Sequence, residues 1–335
     1  MEAYKLLRMG MSYAQSLSAF HLHGAPRPFS ASFAITNKCN LKCAYCDLPN
    51  IKAPELSIEQ MDVLFKKLRK LGILRLGIFG GEPMVRKDIG EILQLAKRHG
   101  FFISLNSNML LYDRVKEVLG PVDYFFVSLD GTPEKHIANR GKQNYETILE
   151  SIRDIVSRKK KLTAICVVTD PDIASADYLI DLAVREKIDL HFQPESYDAE
   201  CAGRTAPDDL HQQETKKFWQ YLLEKKKMGV PITSSTAYLK YLINWHNYKE
   251  SAVYDPTVRC MAGSGFISID PSGIAYPCIF TKGRVKGINL MENDWSEKFD
   301  KKTVCTKCIV GPLLEYNLLF HKPVSSVIDA LAKIN

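Results

Sequence analysis

From Ser32 onward the chain alternates short apolar runs with longer stretches in which apolar residues return at helical spacing. The short runs predict strands over Ser32–Thr36, Ile73–Phe79, Phe101–Asn106, Tyr124–Leu129, Leu162–Val168 and Leu190–Gln193. The longer stretches predict helices over Ser57–Leu71, Ile89–His99, Tyr145–Val156 and Ala176–Lys187, where the spacing lays one apolar stripe along each helix. Strands alternating with helices are the mark of parallel βα units. The expected fold is therefore α/β, a partial (β/α)6 TIM-type barrel over residues 31–208. In such sheets reactive groups collect at the carboxyl ends of the strands.

The flanking regions read differently. Residues 1–30 hold a helical segment, Ala3–Phe20, expected to pack across the barrel or, alternatively, to lie against a membrane surface. Residues 209–255 form a helical linker whose Phe218, Trp219, Tyr221, Tyr238, Tyr241 and Trp245 serve as core or line a substrate cavity. In residues 256–335, Ile267–Asp270 and Ile274–Cys278 flank Pro271-Ser272-Gly273, a turn signal between two strand-like runs that predicts a small β-hairpin, with a helix to follow.

Composition narrows the class. At 335 residues the chain is long enough for a catalytic domain and an appendage. No apolar run reaches the roughly 18–20 residues of a membrane span, and the start lacks the pattern of a signal peptide, so the cytoplasm is the expected compartment. A net charge of +7 is modest, and the basic runs Arg158–Lys161 and Lys225–Lys227 close helical patterns as solvated helix ends. No nucleic-acid partner is expected. The nine cysteines gather at ligand spacings, which points to metal binding in a reducing compartment and not to disulfides.

Cys39, Cys43 and Cys46 carry the sharpest chemistry. Three thiolates at CxxxCxxC spacing hold only three corners of a cubane iron–sulfur cluster, which leaves one iron for another molecule to ligate. A zinc knuckle or a set of buried small hydrophobes is the bland alternative. One βα unit later comes Gly80-Gly81-Glu82-Pro83, where two glycines let backbone approach a ligand closely and leave acceptors that suit an ammonium group. In isolation this is a common strand-to-helix turn. Short polar residues end the third and fourth strands (Asn106, then Ser128 and Asp130), and Arg140 offers a fork suited to a carboxylate.

The stretch from Asn37 to Cys46 resembles the signature of the radical S-adenosylmethionine (SAM) enzymes. That resemblance implies a 4Fe-4S cluster on Cys39, Cys43 and Cys46 whose open iron is chelated by SAM. It further implies that Gly80, Gly81, Glu82 and Pro83 contact SAM's amino group, that Asn106, Ser128 and Asp130 bond its ribose, and that Arg140 pairs with its carboxylate. Tyr45 and Val168 are then expected beside the adenine, with Gln193 closing the site at the sixth strand. Asn106-Ser107-Asn108 stands where the family often has Thr-Asn-Gly, so that carry-over is the looser one.

Cys260, Cys278, Cys305 and Cys308 make a second, closed set of four thiolates, and a structural zinc is the alternative occupant. The segment resembles the twitch domain, the short form of the SPASM extension, which implies an auxiliary 4Fe-4S cluster. Cys166 reads as a buried hydrophobe within a strand; Cys201 follows the sixth strand as a possible hydrogen-atom donor, and Glu195, Asp198 and Glu200 are base candidates.

The resemblance implies one-electron reduction by flavodoxin or ferredoxin, cleavage of SAM to methionine and a 5′-deoxyadenosyl radical, and hydrogen abstraction from a substrate C–H bond. An auxiliary cluster favours a net oxidation or bond formation. A small-molecule or lipid-like substrate is the leading expectation, since residues 1–30 are too few for a separate leader-binding domain. A maturase acting on a ribosomal peptide is the alternative, and a non-catalytic iron–sulfur carrier a distant one.

Overall fold

The computed structural model describes residues 2–23, 28–141, 145–195, 209–244, 258, 260–283, 285–292, 299 and 311–321. In chain order its helices are α1 (Glu2–His23), α2 (Ile58–Lys70), α3 (Ile89–Arg98), α4 (Tyr112–Val115), α5 (Pro133–Arg140), α6 (Tyr145–Ser157), α7 (Ile173–Glu186), α8 (Asp209–Lys227), α9 (Thr236–Ile243) and α10 (Gly311–His321). The strands are β1 (Ser30–Thr36), β2 (Arg75–Gly80), β3 (Phe102–Ser107), β4 (Tyr124–Ser128), β5 (Lys161–Val168), β6 (Asp189–Pro194), β7 (Phe266–Ile269), β8 (Ile274–Tyr276) and β9 (Ile288–Asn289). All six expected βα strands are present, each end within two residues of the expected bound. No described helix is long and apolar enough to cross a membrane.

The chain divides into two compact units. The first comprises residues 1–42, 47–126 and 261–304, and its strands run in the order β3-β2-β1-β7-β8-β9. β1 pairs in parallel with β2 (Ala31 opposite Leu76) and, on its other side, with β7 (Ala31 opposite Ile267). The expected hairpin is there, β7 against β8 antiparallel, but it serves as an extension of the parallel sheet at β1. β1 is buried along almost its whole length, as a strand covered on both faces must be. Phe65 of α2 stands between Phe33 of β1 and Phe101, with edge-to-face rings 6.3 and 5.5 Å apart. α2 starts where Ser57 and Gln60 close a capping box, and it carries Lys67, Arg69 and Lys70 in its last turn, where the helix dipole favours cations.

The second unit comprises residues 43–46, 127–260 and 305–335, and its strand order is β6-β5-β4. β4 starts in the first unit and ends in the second. β5 and β6 pair in parallel over Thr163–Val168. The free side of β6 is covered by an extended segment, with Leu190 N donating to Pro231 O and Thr233 N to Leu190 O, which removes an exposed strand edge. Phe218 of α8 packs edge-on against Phe192 of β6, and Trp219 packs against Phe218. The aromatics of the linker are thus mainly core: Phe218, Trp219 and Tyr238 are buried, and Trp245 lies outside the described residues.

Candidate active site

Cys39, the Gly80–Pro83 turn and Asn106 belong to the first unit, and Cys43, Tyr45, Cys46, Asp130 and Arg140 to the second. In the first unit, Cys39 follows the end of β1 and the glycine pair the end of β2. Gly80 has φ +148°, and a Cβ there would stand 2.1 Å from Thr36 O; one on Gly81 would stand 2.2 Å from Lys38 O. Only glycine lets these backbones lie so close. Gly81 N donates to Thr36 O (2.8 Å) and Glu82 N to Lys38 O (2.9 Å), so the turn after β2 is stitched to the segment that delivers Cys39.

Glu82 is 1% exposed. Its Oε1 accepts from Met84 N (3.0 Å) and Ser107 Oγ (2.9 Å), and its Oε2 from Asn108 N (2.8 Å). Burial pushes its carboxyl up to about 7, against the opposing pull of the Asn108, Met84 and Ser107 donors. Such a group gains its charge at low cost when a cation arrives, which is the chemistry an ammonium ligand requires. Pro83 opens the short turn that Glu82 caps. Asn106 is exposed, whereas its neighbours Ser107 and Asn108 are buried and reach Glu82. Asn108 Nδ2 also donates to Asn40 Oδ1 (2.8 Å), beside Cys39. The sequence marked Ser107 and Asn108 only as polar residues closing the third strand and gave Asn40 no role; the structure has Ser107 and Asn108 bonded to Glu82 and Asn108 to Asn40.

In the second unit, Cys43–Cys46 is a tight turn, with Cys46 N donating to Cys43 O (3.1 Å) and Ala44 N to Asn139 O (2.7 Å). Tyr45 donates to Asp130 Oδ2 (2.7 Å). Arg140 grips the same carboxylate side-on, Nε to Oδ2 at 2.7 Å and Nη2 to Oδ1 at 3.0 Å, and lies 5.4 Å from the centre of the Tyr45 ring. Val167 N donates to Asp130 Oδ1 (3.0 Å), and Asp130 N donates to His136 Nδ1 (3.0 Å). Asp130 and Arg140, assigned by resemblance to a ribose and a carboxylate of SAM, are here engaged with one another, because a buried ion pair satisfies both charges.

Burial pushes the Asp130 carboxyl up, but the adjoining guanidinium and the Arg140 and Tyr45 hydrogen bonds outweigh it and hold it below the ordinary range. Burial likewise raises the Tyr45 phenol, and raises the Cys43 thiol against the pull of Arg140.

Ser128 ends β4 half-buried, and Val168 ends β5 with its carbonyl accepting from Glu195 N (3.1 Å). Gln193 lies on β6 so close to Gly311 that a Cβ there would stand 2.8 Å from its own. A small cleft is lined by Asp130, Asn139, Cys166, Val168, Thr169 and Phe192. Cys166 is buried in its wall, and desolvation raises its thiol well above the usual range, so it is unreactive as a thiolate.

Cys39, Cys43 and Cys46 are partly exposed thiols, the soft donor set an iron–sulfur cluster needs. Among the described residues no three His, Cys, Asp or Glu side chains converge as a single ion would require. A cubane cluster gives each thiolate its own iron and needs no such convergence. Cys260 is exposed and Cys278 buried, its sulfur accepting from Phe280 N (3.3 Å). Asp198, Glu200, Cys201, Cys305 and Cys308 lie outside the described residues.

Residues 33–182 match the family model of the radical SAM superfamily. That stretch of the chain is a radical SAM domain. It is 26% identical over 268 residues to mycofactocin maturase MftC of Mycolicibacterium smegmatis, covering 77% of this chain and 66% of that one. It is 28% identical over 164 residues to the PqqA peptide cyclase of Streptomyces rochei (47% and 45% covered), and 29% over 206 residues to the Fe-coproporphyrin III synthase of Methanosarcina barkeri (58% and 50%). The match thus spans between 45% and 66% of these relatives' own length. In fold the chain is similar to Streptococcus suis SuiB bound to SAM (TM-score 0.67, 16% identity, 95% of this chain and 71% of that one). SuiB has also been solved with its precursor peptide SuiA. A second neighbour is SAM-bound anSMEcpe (TM-score 0.64, 17% identity, 90% and 100%). The radical SAM partial barrel is therefore the fold of this chain.

Proposed function

We propose that this chain is a radical SAM enzyme that modifies a peptide. Among curated relatives the recurrence of a maturase and a peptide cyclase carries the substrate class, and it displaces the small or lipid-like molecule that sequence reasoning put first. Cys39, Cys43 and Cys46 would hold a 4Fe-4S cluster, which with SAM would supply the one-electron chemistry for removing a hydrogen atom from the peptide. Glu82 takes SAM's ammonium, for which its buried carboxyl is suited. The Asp130–Arg140 pair holds the Tyr45 ring, with Ser128, Val168 and Gln193 as further SAM neighbours. Cys260, Cys278, Cys305 and Cys308 would hold an auxiliary 4Fe-4S cluster, which would supply one-electron acceptor chemistry for a net oxidation. A flavodoxin or ferredoxin serves as donor.

Anaerobic reconstitution, metal counting and a 5′-deoxyadenosine assay test this reading, on the native chain and on the triple Cys39/Cys43/Cys46→Ala variant. The expected result is about eight irons per native chain, with deoxyadenosine formed only by the native protein. About four irons with zinc present would reassign the C-terminal cysteines. Mass spectrometry of short precursor peptides incubated with enzyme, SAM and dithionite tests the substrate. The likeness to Fe-coproporphyrin III synthase supports a second reading, a non-peptide substrate. Deoxyadenosine formation stimulated by an iron porphyrin and by no peptide would favour it.

A further inference from the structure

The segment from Ile35 to Lys38 is held from two sides. On one side lie the backbone bonds from Gly81 and Glu82. On the other a set of buried and half-buried side chains converges on the same four residues. Thr36 Oγ1 accepts from Lys38 N (3.0 Å) and donates to Glu55 Oε1 (2.7 Å). The same Glu55 oxygen meets Lys38 Nζ at 3.1 Å, and its Oε2 stands 3.8 Å from Arg86 Nη1. Arg86, itself buried, donates from Nη1 to Ile35 O (3.1 Å) and from Nη2 to Leu56 O (3.2 Å), with Asp88 clamping its fork at 2.8 and 2.6 Å. Asn37 Nδ2 donates to Ile51 O (2.8 Å).

We propose that Glu55 and Arg86 are positioning residues for the first cluster ligand: through Thr36, Lys38 and Ile35 they set the turn that presents Cys39. The proposal rests on the reading of Cys39 as a ligand. Its physical ground is that Thr36 cannot keep Lys38 N and Glu55 at once unless residues 36–38 hold one conformation, and Cys39 is the next residue. Arg86 fixes the anchoring end, because its two donors join the end of β1 to the segment that carries Glu55. Neither residue touches the reacting atoms. Both act on the ligand through backbone, as outer partners of metal sites do, and loss of such partners costs about 10–100-fold in metal retention.

The test is anaerobic release of iron from the reconstituted protein to a ferrous chelator, beside the cluster's midpoint potential and the thermal melt. Glu55→Ala is expected to release iron at least about tenfold faster than native protein. Glu55→Gln keeps the acceptor for the Thr36 hydroxyl and is expected to restore most of the native rate. Thr36→Val, which deletes only that hydroxyl, is the second variant should Glu55→Ala fail to fold, and it is expected to behave likewise. Ile92→Ala, in the core of α3, controls for general loss of stability. Native release from Glu55→Ala or from Thr36→Val overturns the proposal. So does Ile92→Ala releasing iron as fast at an equal loss of melting temperature. Failure of the native chain to take up iron would sink the cluster reading and the proposal with it, a result separable from the others because it needs no variant.

Discussion

Asp130→Asn removes one charge from a site with almost no water. The carboxylate is 1% exposed and accepts four hydrogen bonds, two from Arg140 and one each from Tyr45 and Val167 N; Arg140 is 7% exposed. An asparagine fills the same space, but its amide nitrogen faces a donor wherever it turns, and the guanidinium loses its counter-ion. Breaking a buried pair by removing one partner costs about 3–5 kcal/mol. Replacing both partners with apolar groups costs much less, so Asp130→Leu with Arg140→Met should lie well above the sum of the single variants, a coupling of about 1–3 kcal/mol. Tyr45→Phe deletes only one bond to a charged group and should cost about 1.5–3 kcal/mol. Because Asp130 is depressed in the folded chain, its contribution is present above the unfolded carboxyl value near 4 and fades as pH falls through the lower folded value. The assay is urea unfolding, at pH 7, of native protein, Asp130→Asn, Tyr45→Phe, Asp130→Leu, Arg140→Met and the double variant. A loss below about 0.5 kcal/mol for Asp130→Asn, or additive single variants, would refute the claim that this ion pair holds the turn containing Tyr45.

Glu82 should behave oppositely with pH. Its folded value is raised from 4.5 to about 7, so the folded chain loses stability as pH climbs between those values, by roughly 3 kcal/mol in all. Glu82→Gln should flatten that part of the stability–pH curve, and a slope unchanged from native would refute the assignment. SAM affinity, by contrast, should rise as pH passes upward through about 7 and lose that dependence in Glu82→Gln, as equilibrium dialysis with labelled SAM would show. Gly81→Ala drives a methyl group into Lys38 O, and should cost at or above the upper end of the roughly 1–3 kcal/mol typical of overpacking while releasing the cluster. Phe65→Ala should cost about 3–5 kcal/mol by calorimetry without altering SAM affinity, since its buried ring packs against Phe33, Phe101 and His99 in the core.

Much of this protein was written in local pattern. The six βα strands came from runs of apolar residues bounded by turns, which follow directly from the need to cover both faces of a parallel sheet. Cys39, Cys43 and Cys46 and the Gly80–Pro83 turn announced themselves because ligand spacing and close backbone approach are properties of a few consecutive residues. Pairing across long sequence separations is of another kind, since no local signal encodes it. That the hairpin Phe266–Tyr276 joins the sheet beside β1, with Ala31 opposite Ile267, depends on complementary surfaces more than two hundred residues apart. Arg140 and Asp130 read singly as ligand contacts in the sequence; that they also form one buried ion pair is a fact of tertiary structure. Glu55 and Arg86 carried no motif at all; their place beneath the segment leading to Cys39 follows only from the hydrogen-bond geometry of Ile35, Thr36 and Leu56, which exists once the chain has closed on itself.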